Sequence, residues 1–171
     1  MSIDDEILDR CRRGMLFPLR PLARGMAIRR AMFVSEGLNA ILTSPEGDPS
    51  WELRIAQLQA DLEVFVEGRS IDPKYLFLLY PMRDGVWEIR SVRDRPSIRV
   101  LGLFACKDVF IATNHALRED LGDWNSREWK AVQREARAEW RRLFSSYDPK
   151  ITTDIKELVT GALDGKYFKT G

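Results

Sequence analysis

The sequence contains few of the residues that metal, redox and disulfide sites require. Its 171 residues include two cysteines and one histidine. Cys11 and Cys106 lie far apart and lack the paired spacing of a metal site, so we expect small buried side chains in a reducing compartment. A single histidine, His115, excludes a histidine-rich metal site. We therefore expect neither a metal nor a cofactor.

Long apolar runs and targeting signals are also missing. No apolar run approaches the roughly 20 residues of a membrane helix. Residues 1–6 are too acidic for a signal or transit peptide. We therefore expect a cytoplasmic protein without a membrane partner. The sequence also lacks a glycine-rich phosphate loop and a G-x-S-x-G motif, which leaves a short list of residues for any catalytic role.

Charge is balanced overall but unevenly distributed. An apolar fraction of 44% with 10% aromatic residues is typical of one globular domain with appendages. The net charge is +1, yet residues 10–30 contain seven arginines and no acid, whereas residues 36–72 contain eight acids and two arginines. The simplest interpretation is that the first segment packs on the second. The alternative is a basic arm that binds phosphates.

Helical patterns appear at both ends of the chain and in its middle. Apolar residues at intervals of three and four predict a buried helix from residue 50 to about 67 and another over residues 126–144. Residues 3–13 form a third predicted helix and residues 152–163 a fourth. Residues 22–44 are ambiguous, with helix slightly favoured.

Three short apolar runs between the helices predict strands. They lie near residues 86–90, 97–104 and 109–113, and polar turns separate them. Short links between consecutive strands are typical of an antiparallel meander. We expect an α+β fold in which helices 50–67 and 126–144 cover one face of a small twisted antiparallel sheet of three or four strands. The other face would carry Arg90 and Arg99, and residues 115–123 would form a polar loop.

These strands resemble those of the RelE/HigB-like toxin superfamily over about residues 75–144. The match consists of a W-E-x-R strand at residues 87–90, an x-R-V strand at residues 98–100 and a third apolar strand. In that family these strands carry an RNA-cutting site. Glu88 departs from the lysine of the RelE branch but is tolerated in the phage-derived, HigB-like branch, which we therefore favour.

The resemblance implies catalytic roles for Arg90 and Arg99. Arg90 matches a position that is usually basic and near the substrate, and Arg99 matches the arginine that faces the scissile phosphate. Strand alternation places Glu88 and Arg90 on one face, with Trp87 and Ile89 in the core. Either arginine could instead simply pair with Glu88. As a surface cation, Arg99 should tolerate truncation at a cost under about 1 kcal/mol.

The segment after the third strand departs most from the family. It keeps one clear cation, Arg118, and lacks the family's lysine pair. His115 could act as a general acid or base, because its unperturbed pKa of ~6.5 suits that work, although a loop histidine can also be incidental. Trp124 roughly matches a family aromatic that can stack on a base, or it packs the loop on the sheet.

The predicted helix 126–144 carries a basic stripe opposite its apolar one. Arg127, Lys130 and Arg134 begin this stripe, and Arg137 and Arg141 continue it. Such a stripe is commonly a solvated face with intrahelical ion pairs. The alternative is contact with RNA or with an acidic antitoxin.

The resemblance implies a metal-independent, toxin-type endoribonuclease. Such a hydrolase of a toxin–antitoxin system would cut mRNA at the ribosome, and an antitoxin would silence it. An alternative is an inactive binding protein or phage accessory protein on the same scaffold, and a third is a ParE-like topoisomerase inhibitor. The expected organisation is an arginine-rich N-terminal extension over residues 1–47, a RelE/HigB-like core over residues 48–146 and a helical C-terminal extension over residues 147–171.

Overall fold

A computed structural model describes residues 1–92 and 95–169. Within these residues, four α-helices pack against one open, mixed β-sheet of six strands, which confirms the predicted α+β class. The elements in chain order are α1 (Ile3–Arg12), β1 (Leu16–Pro18), β2 (Ala31–Ser35), α2 (Glu36–Thr43), α3 (Pro49–Val66), β3 (Leu76–Leu78), β4 (Trp87–Ser91), β5 (Ile98–Cys106), β6 (Val109–Leu117) and α4 (Arg127–Leu143). None of the helices in the described ranges is long and apolar enough to cross a membrane.

The sheet contains the predicted meander but extends beyond it on both sides. Its strand order is β1-β2-β6-β5-β4-β3, and β4, β5 and β6 pair antiparallel as expected. β3 adds one edge, whereas β1 and β2 add the other. β2 runs parallel to β6, with Ala31 opposite Val109. The expectation of a purely antiparallel sheet of three or four strands is therefore wrong, because residues 16–35 also contribute to it.

Helices cover both faces of the sheet rather than one. On one face, α3 packs over Val100 and Phe104 of β5. On the other face, α4 packs over Leu101 and Leu103 of the same strand. Because β5 is apolar on both sides, each face needs its own cover. The face that carries Arg90 and Arg99 is therefore the α4 face, and it was wrong to expect it to be free of helices.

The N-terminal residues are integrated into this sheet. Residues 31–35 form a strand where a helix was slightly favoured, because Met32 and Val34 are each 1% exposed and belong to the α3-side core. Residues 19–30 lie against α3, whereas Arg10 Nε donates to the Leu143 carbonyl at the end of α4 at 2.7 Å. The expected packing of residues 10–30 on the acidic segment is therefore met only by its second half. The contacts are to backbone and single side chains: the Leu22 amide donates to Glu63 at 2.9 Å, and Arg30 Nη1 donates to the Phe65 carbonyl at 2.9 Å.

The C-terminal residues contain a short 3-10 turn, Ile155–Glu157, where a helix was predicted. Tertiary partners take the backbone groups that a helix would need. The carboxylate of Asp108 accepts from the Thr160 amide at 2.7 Å and from its hydroxyl at 2.6 Å. Arg30 Nη2 donates to the Thr160 carbonyl at 2.8 Å. The predicted helix over residues 152–163 is therefore wrong.

A β-bulge in β6 decides which side chains reach each face. Leu101 lies opposite Asn114 whereas Gly102 lies opposite Ala112, so Thr113 is the extra residue. An extra residue shifts the alternation of side chains by one position. At the bulge β5 carries Gly102, where an added Cβ would lie 2.3 Å from the Ile111 carbonyl oxygen. The close approach of the two strands therefore requires glycine.

Gly102→Ala should destabilise the protein by about 1–3 kcal/mol, because the added methyl overpacks the strand pair at the bulge. Chemical unfolding monitored by circular dichroism measures this loss. Gly37→Ala is the matched control, since a Cβ at this position in α2 meets nothing within 4 Å. Replacing an exposed helical glycine by alanine should leave stability unchanged or raise it by up to about 1 kcal/mol. Equal stability of the two variants would contradict the proposed constraint at the bulge.

Candidate functional site

One cavity of about 150 Å³ lies where β3, β4 and β5 meet the start of α4. It is small beside the roughly 300–1,000 Å³ of pockets that enclose drug-sized ligands. Within residues 1–92 and 95–169, four cations and one carboxylate line it, together with aromatic side chains. The charged residues are Glu88, Arg90, Arg99, Arg118 and Lys169, and the aromatic residues are Phe77, Tyr80, Trp124 and Trp129.

Glu88 lies at the centre of this charge cluster. Its side chain is 3% exposed, and its Oε1 accepts from Arg90 Nε at 2.8 Å. Oε2 lies 3.3 Å from Arg99 Nε, an ion pair whose two atoms are not aligned as a hydrogen bond. Arg90 and Arg99 are direct cross-strand partners, so their side chains emerge on the same face. The pairing of both arginines with Glu88, given above as the alternative, is therefore present.

Further contacts hold each arginine in place. Arg90 lies over the Phe77 ring at 4.4 Å and donates to the Pro73 carbonyl at 3.2 Å. Arg99 Nη1 donates to the Ser97 hydroxyl at 2.7 Å. The same strand alternation buries Trp87 and Ile89 on the α3 side, as predicted. The two guanidinium groups are thus oriented before any ligand binds.

Arg118 enters the cavity from the turn after β6. The predicted polar loop over residues 115–123 is partly wrong, because β6 continues to Leu117 and a 3-10 turn follows. Arg118 Nη1 donates to the Gly122 carbonyl at 2.8 Å, and its guanidinium lies 5.8 Å from the centre of the Trp129 ring. The turn therefore places a third guanidinium in the cavity, beside those of Arg90 in β4 and Arg99 in β5.

An aromatic wall forms the mouth of the cavity. Trp124 is 47% exposed and Tyr80 40% exposed, and their rings meet edge to face at 6.0 Å. Lys169 Nζ lies 5.0 Å from the centre of the Trp124 ring. The sequence pointed to Trp124 but missed Tyr80 and Lys169. Tyr80 precedes a 3-10 turn and Lys169 is 81 positions beyond Glu88, so no local spacing links either to the arginines.

His115 lies on the opposite face of the sheet. It is the cross-strand partner of Val100, which belongs to the α3-side core, whereas Arg99 pairs with Ala116. Unbroken alternation from Ile111 would have placed His115 on the arginine face, and the bulge at Thr113 reverses it. Burial lowers the pKa of His115 below its ordinary value of 6.5. The structure therefore does not bring His115 together with the arginines.

The basic stripe of α4 borders the cavity without entering it. Lys130 and Arg134 line a neighbouring groove that shares Tyr80 and Gln133 with the cavity. Arg127 is exposed in the first turn of the helix. Further along, Arg137 lies 3.7 Å from Asp84, a residue that precedes β4, so this ion pair links the stripe to the sheet rather than being intrahelical. The stripe thus provides a cationic surface that continues from the cavity mouth.

Positive charge is in excess inside the cavity. Burial lowers the pKa of Arg99, Glu88 raises it, and Arg90 and Arg118 lower it. A guanidinium still stays charged at neutral pH because its ordinary pKa is far above 7. Among the residues that the structure describes, four cations face one carboxylate, an excess of three positive charges. The cavity is therefore suited to an anion that carries several hydrogen-bond acceptors, such as a phosphate group.

No cluster of three or more histidine, cysteine, aspartate or glutamate side chains suited to a metal ion occurs within residues 1–92 and 95–169. Cys11 and Cys106 are half-buried free thiols rather than fully buried side chains. Burial raises the pKa of both thiols.

Comparisons of the chain with family models, with curated proteins and with solved structures find no match. The resemblance to RelE/HigB-like toxins therefore rests on the strand motifs alone.

Arg99→Ala should destabilise the protein by about 1–3 kcal/mol, because it removes one of two cations that compensate a buried carboxylate. The Arg99 side chain is 11% exposed and paired, so the expectation of a surface cation is wrong, and the predicted cost of truncation rises accordingly. Urea unfolding of wild type, Arg99→Ala, Glu88→Gln and the double variant measures the coupling. The double variant should lose less than the sum of the single losses, and additive losses would contradict the ion pair.

Protein stability should fall as the pH drops below about 6.5, in part because of His115. Its pKa is lower in the folded state, so the unfolded state binds more protons in this window and gains stability as pH falls. Thermal melting between pH 7.5 and 5 should show a smaller decline for His115→Gln than for wild type. An identical decline would show that His115 does not titrate differently on folding.

Proposed function

We propose that the protein is a toxin-type endoribonuclease that binds single-stranded mRNA in the arginine cavity and cleaves it. The observation that carries the proposal is the convergence of Arg90, Arg99 and Arg118 on one cavity that has an aromatic wall at its mouth. Two of these arginines, Arg90 and Arg99, pair with the buried carboxylate of Glu88. The guanidinium groups fit a phosphate, and Trp124 offers a ring on which a base can stack. The pairing of β4, β5 and β6 supports the same proposal, because the family resemblance requires these three strands to be neighbours.

The proposed reaction is an attack within the RNA. The 2′-oxygen forms a bond to phosphorus as the bond from phosphorus to the 5′-oxygen breaks, which yields a 2′,3′-cyclic phosphate and a 5′-hydroxyl. Arg99 and Arg118 donate to the phosphate oxygens as charge builds on them. Glu88 Oε2, which accepts no hydrogen bond from the described residues, takes the proton of the 2′-hydroxyl. Water at the open mouth of the cavity supplies a proton to the leaving 5′-oxygen, and the hydroxide that results takes the proton from Glu88, which restores the carboxylate.

This mechanism assigns no step to His115, because His115 lies on the other face of the sheet. It also does not require the lysine pair that the family carries after the third strand. Arginine side chains instead stabilise the charge on the phosphate in the transition state, because one guanidinium can donate two hydrogen bonds to a phosphate.

Binding without cleavage is the second candidate function. It is favoured by the ion pairs themselves, since Glu88 already engages both Arg90 and Arg99. Both oxygens of this carboxylate already face a guanidinium, which leaves less room for a 2′-hydroxyl to contact them. An inactive relative that retains the phosphate site would have the same cavity.

The proposed partners follow from the proposed substrate. The protein would meet mRNA and the ribosome in the cytoplasm. The α4 residues Arg127, Lys130 and Arg134 would contact further RNA phosphates outside the cavity. An antitoxin protein would hold the activity silent. Its proposed target is the cavity mouth, which Trp124 and Tyr80 leave exposed.

Induction of the wild-type protein should arrest growth, and primer extension should reveal cleaved mRNA. Arg118→Ala should lower the cleavage rate by ~10²–10³-fold, as the loss of one electrostatic donor typically does. Arg142→Ala is the matched control, because Arg142 pairs with Glu139 on the outer surface of α4 at 2.6 Å. His115→Ala should also cleave at nearly the wild-type rate.

The same proteins, purified and mixed with a labelled RNA, separate the two candidate functions. Cleavage that disappears in Arg118→Ala supports the endoribonuclease. RNA binding without cleavage supports the second candidate. Intact mRNA together with no RNA binding by wild type would overturn both candidate functions. Loss of cleavage in His115→Ala alone would place the reaction on the α3 face of the sheet and contradict the proposed mechanism.

A further inference from the structure

The C-terminal segment returns to the sheet edge beside the cavity. The Leu78 amide of β3 donates to the Tyr167 carbonyl at 2.7 Å, and Leu78 and Phe168 form a parallel bridge. The Tyr167 side chain is 2% exposed, and its hydroxyl donates to the Leu163 carbonyl at 2.7 Å. Residues 167–168 are therefore anchored by backbone pairing and by burial, and the position of the next residue is fixed by them.

That next residue is Lys169, and it lines the arginine cavity. Its ammonium lies 5.0 Å from the centre of the Trp124 ring. The Trp124 side chain is 47% exposed. A cation over an indole ring at this distance is attracted to the ring face. The segment thus adds a fourth cation to the guanidinium groups of β4, β5 and the turn after β6.

We infer that the C-terminal segment completes the RNA site and that Lys169 is a phosphate-binding residue. The inference rests on the proposed function. A base that stacks on Trp124 takes the position that the ammonium occupies over the ring. The flexible lysine side chain then rotates to the phosphate next to that base, where its point charge needs no fixed geometry.

Lys169 therefore extends the site from one phosphate to two. Arg90, Arg99 and Arg118 surround the scissile phosphate, and Lys169 meets the phosphate of the neighbouring nucleotide. This arrangement selects a single-stranded oligonucleotide over a lone phosphate or a mononucleotide.

Fluorescence anisotropy with a fluorescein-labelled, 2′-O-methyl oligouridylate of ten nucleotides tests this inference, because such a probe binds without being cleaved. Lys169→Met should weaken binding about fivefold at ~0.1 M salt and lower the salt-dependence slope by about 0.7, the value of one phosphate contact on a single strand. Lys166→Met is the matched control, since Lys166 is an exposed lysine of the same segment and should bind as wild type does. Both variants should melt within about 2 °C of wild type.

Each other outcome contradicts the inference in a distinct way. If Lys169→Met binds normally while Arg118→Ala loses affinity, the C-terminal segment is not part of the site and the proposed function stands. Tighter binding by Lys169→Met would show that the ammonium competes with RNA. Equal losses in Lys169→Met and Lys166→Met would show only a general charge effect. If wild type binds no oligouridylate, both the inference and the proposed function are overturned.

Discussion

The candidate site depends on the pairing of Glu88 with the arginines of two adjacent strands. A carboxylate that is 3% exposed must be compensated, because an unpaired buried charge costs several kcal/mol. Arg90 on the same strand and Arg99 directly across from it supply that compensation. The same pairing orients two guanidinium groups toward one cavity. One set of ion pairs therefore both compensates the buried charge of Glu88 and orients the guanidinium groups of the proposed phosphate site.

The second constraint is the bulge of β6. One extra residue, Thr113, lets Gly102 approach Ile111 closely and reverses the faces of the residues that follow. Ala116 then lies beside Arg99, where a small side chain leaves space, and His115 turns to the other face. Arg118 leaves the strand end toward the cavity. The bulge therefore determines which of the polar residues after β6 contribute to the site.

The spacing of apolar residues along the sequence predicted the meander, α3, α4 and the shared face of Glu88 and Arg90. These features depend on periodicity within single elements and on short links between neighbouring strands. It failed where a partner distant in sequence decides the outcome. Residues 31–35 form a strand because β6 offers a parallel edge, and residues 158–160 are held by Asp108 and Arg30. Lys169 reaches the cavity only because β3 pairs with residues near the end of the chain. No sequence spacing encodes these contacts.

The most direct measurement is a crystal structure of the protein with an uncleavable 2′-O-methyl oligoribonucleotide. The account predicts a phosphate within hydrogen-bond distance of Arg99 and Arg118, a base against Trp124 and no RNA contact at His115. It would be contradicted by RNA that runs only along the outer surface of α4, or along residues 10–30, and leaves the arginine cavity empty.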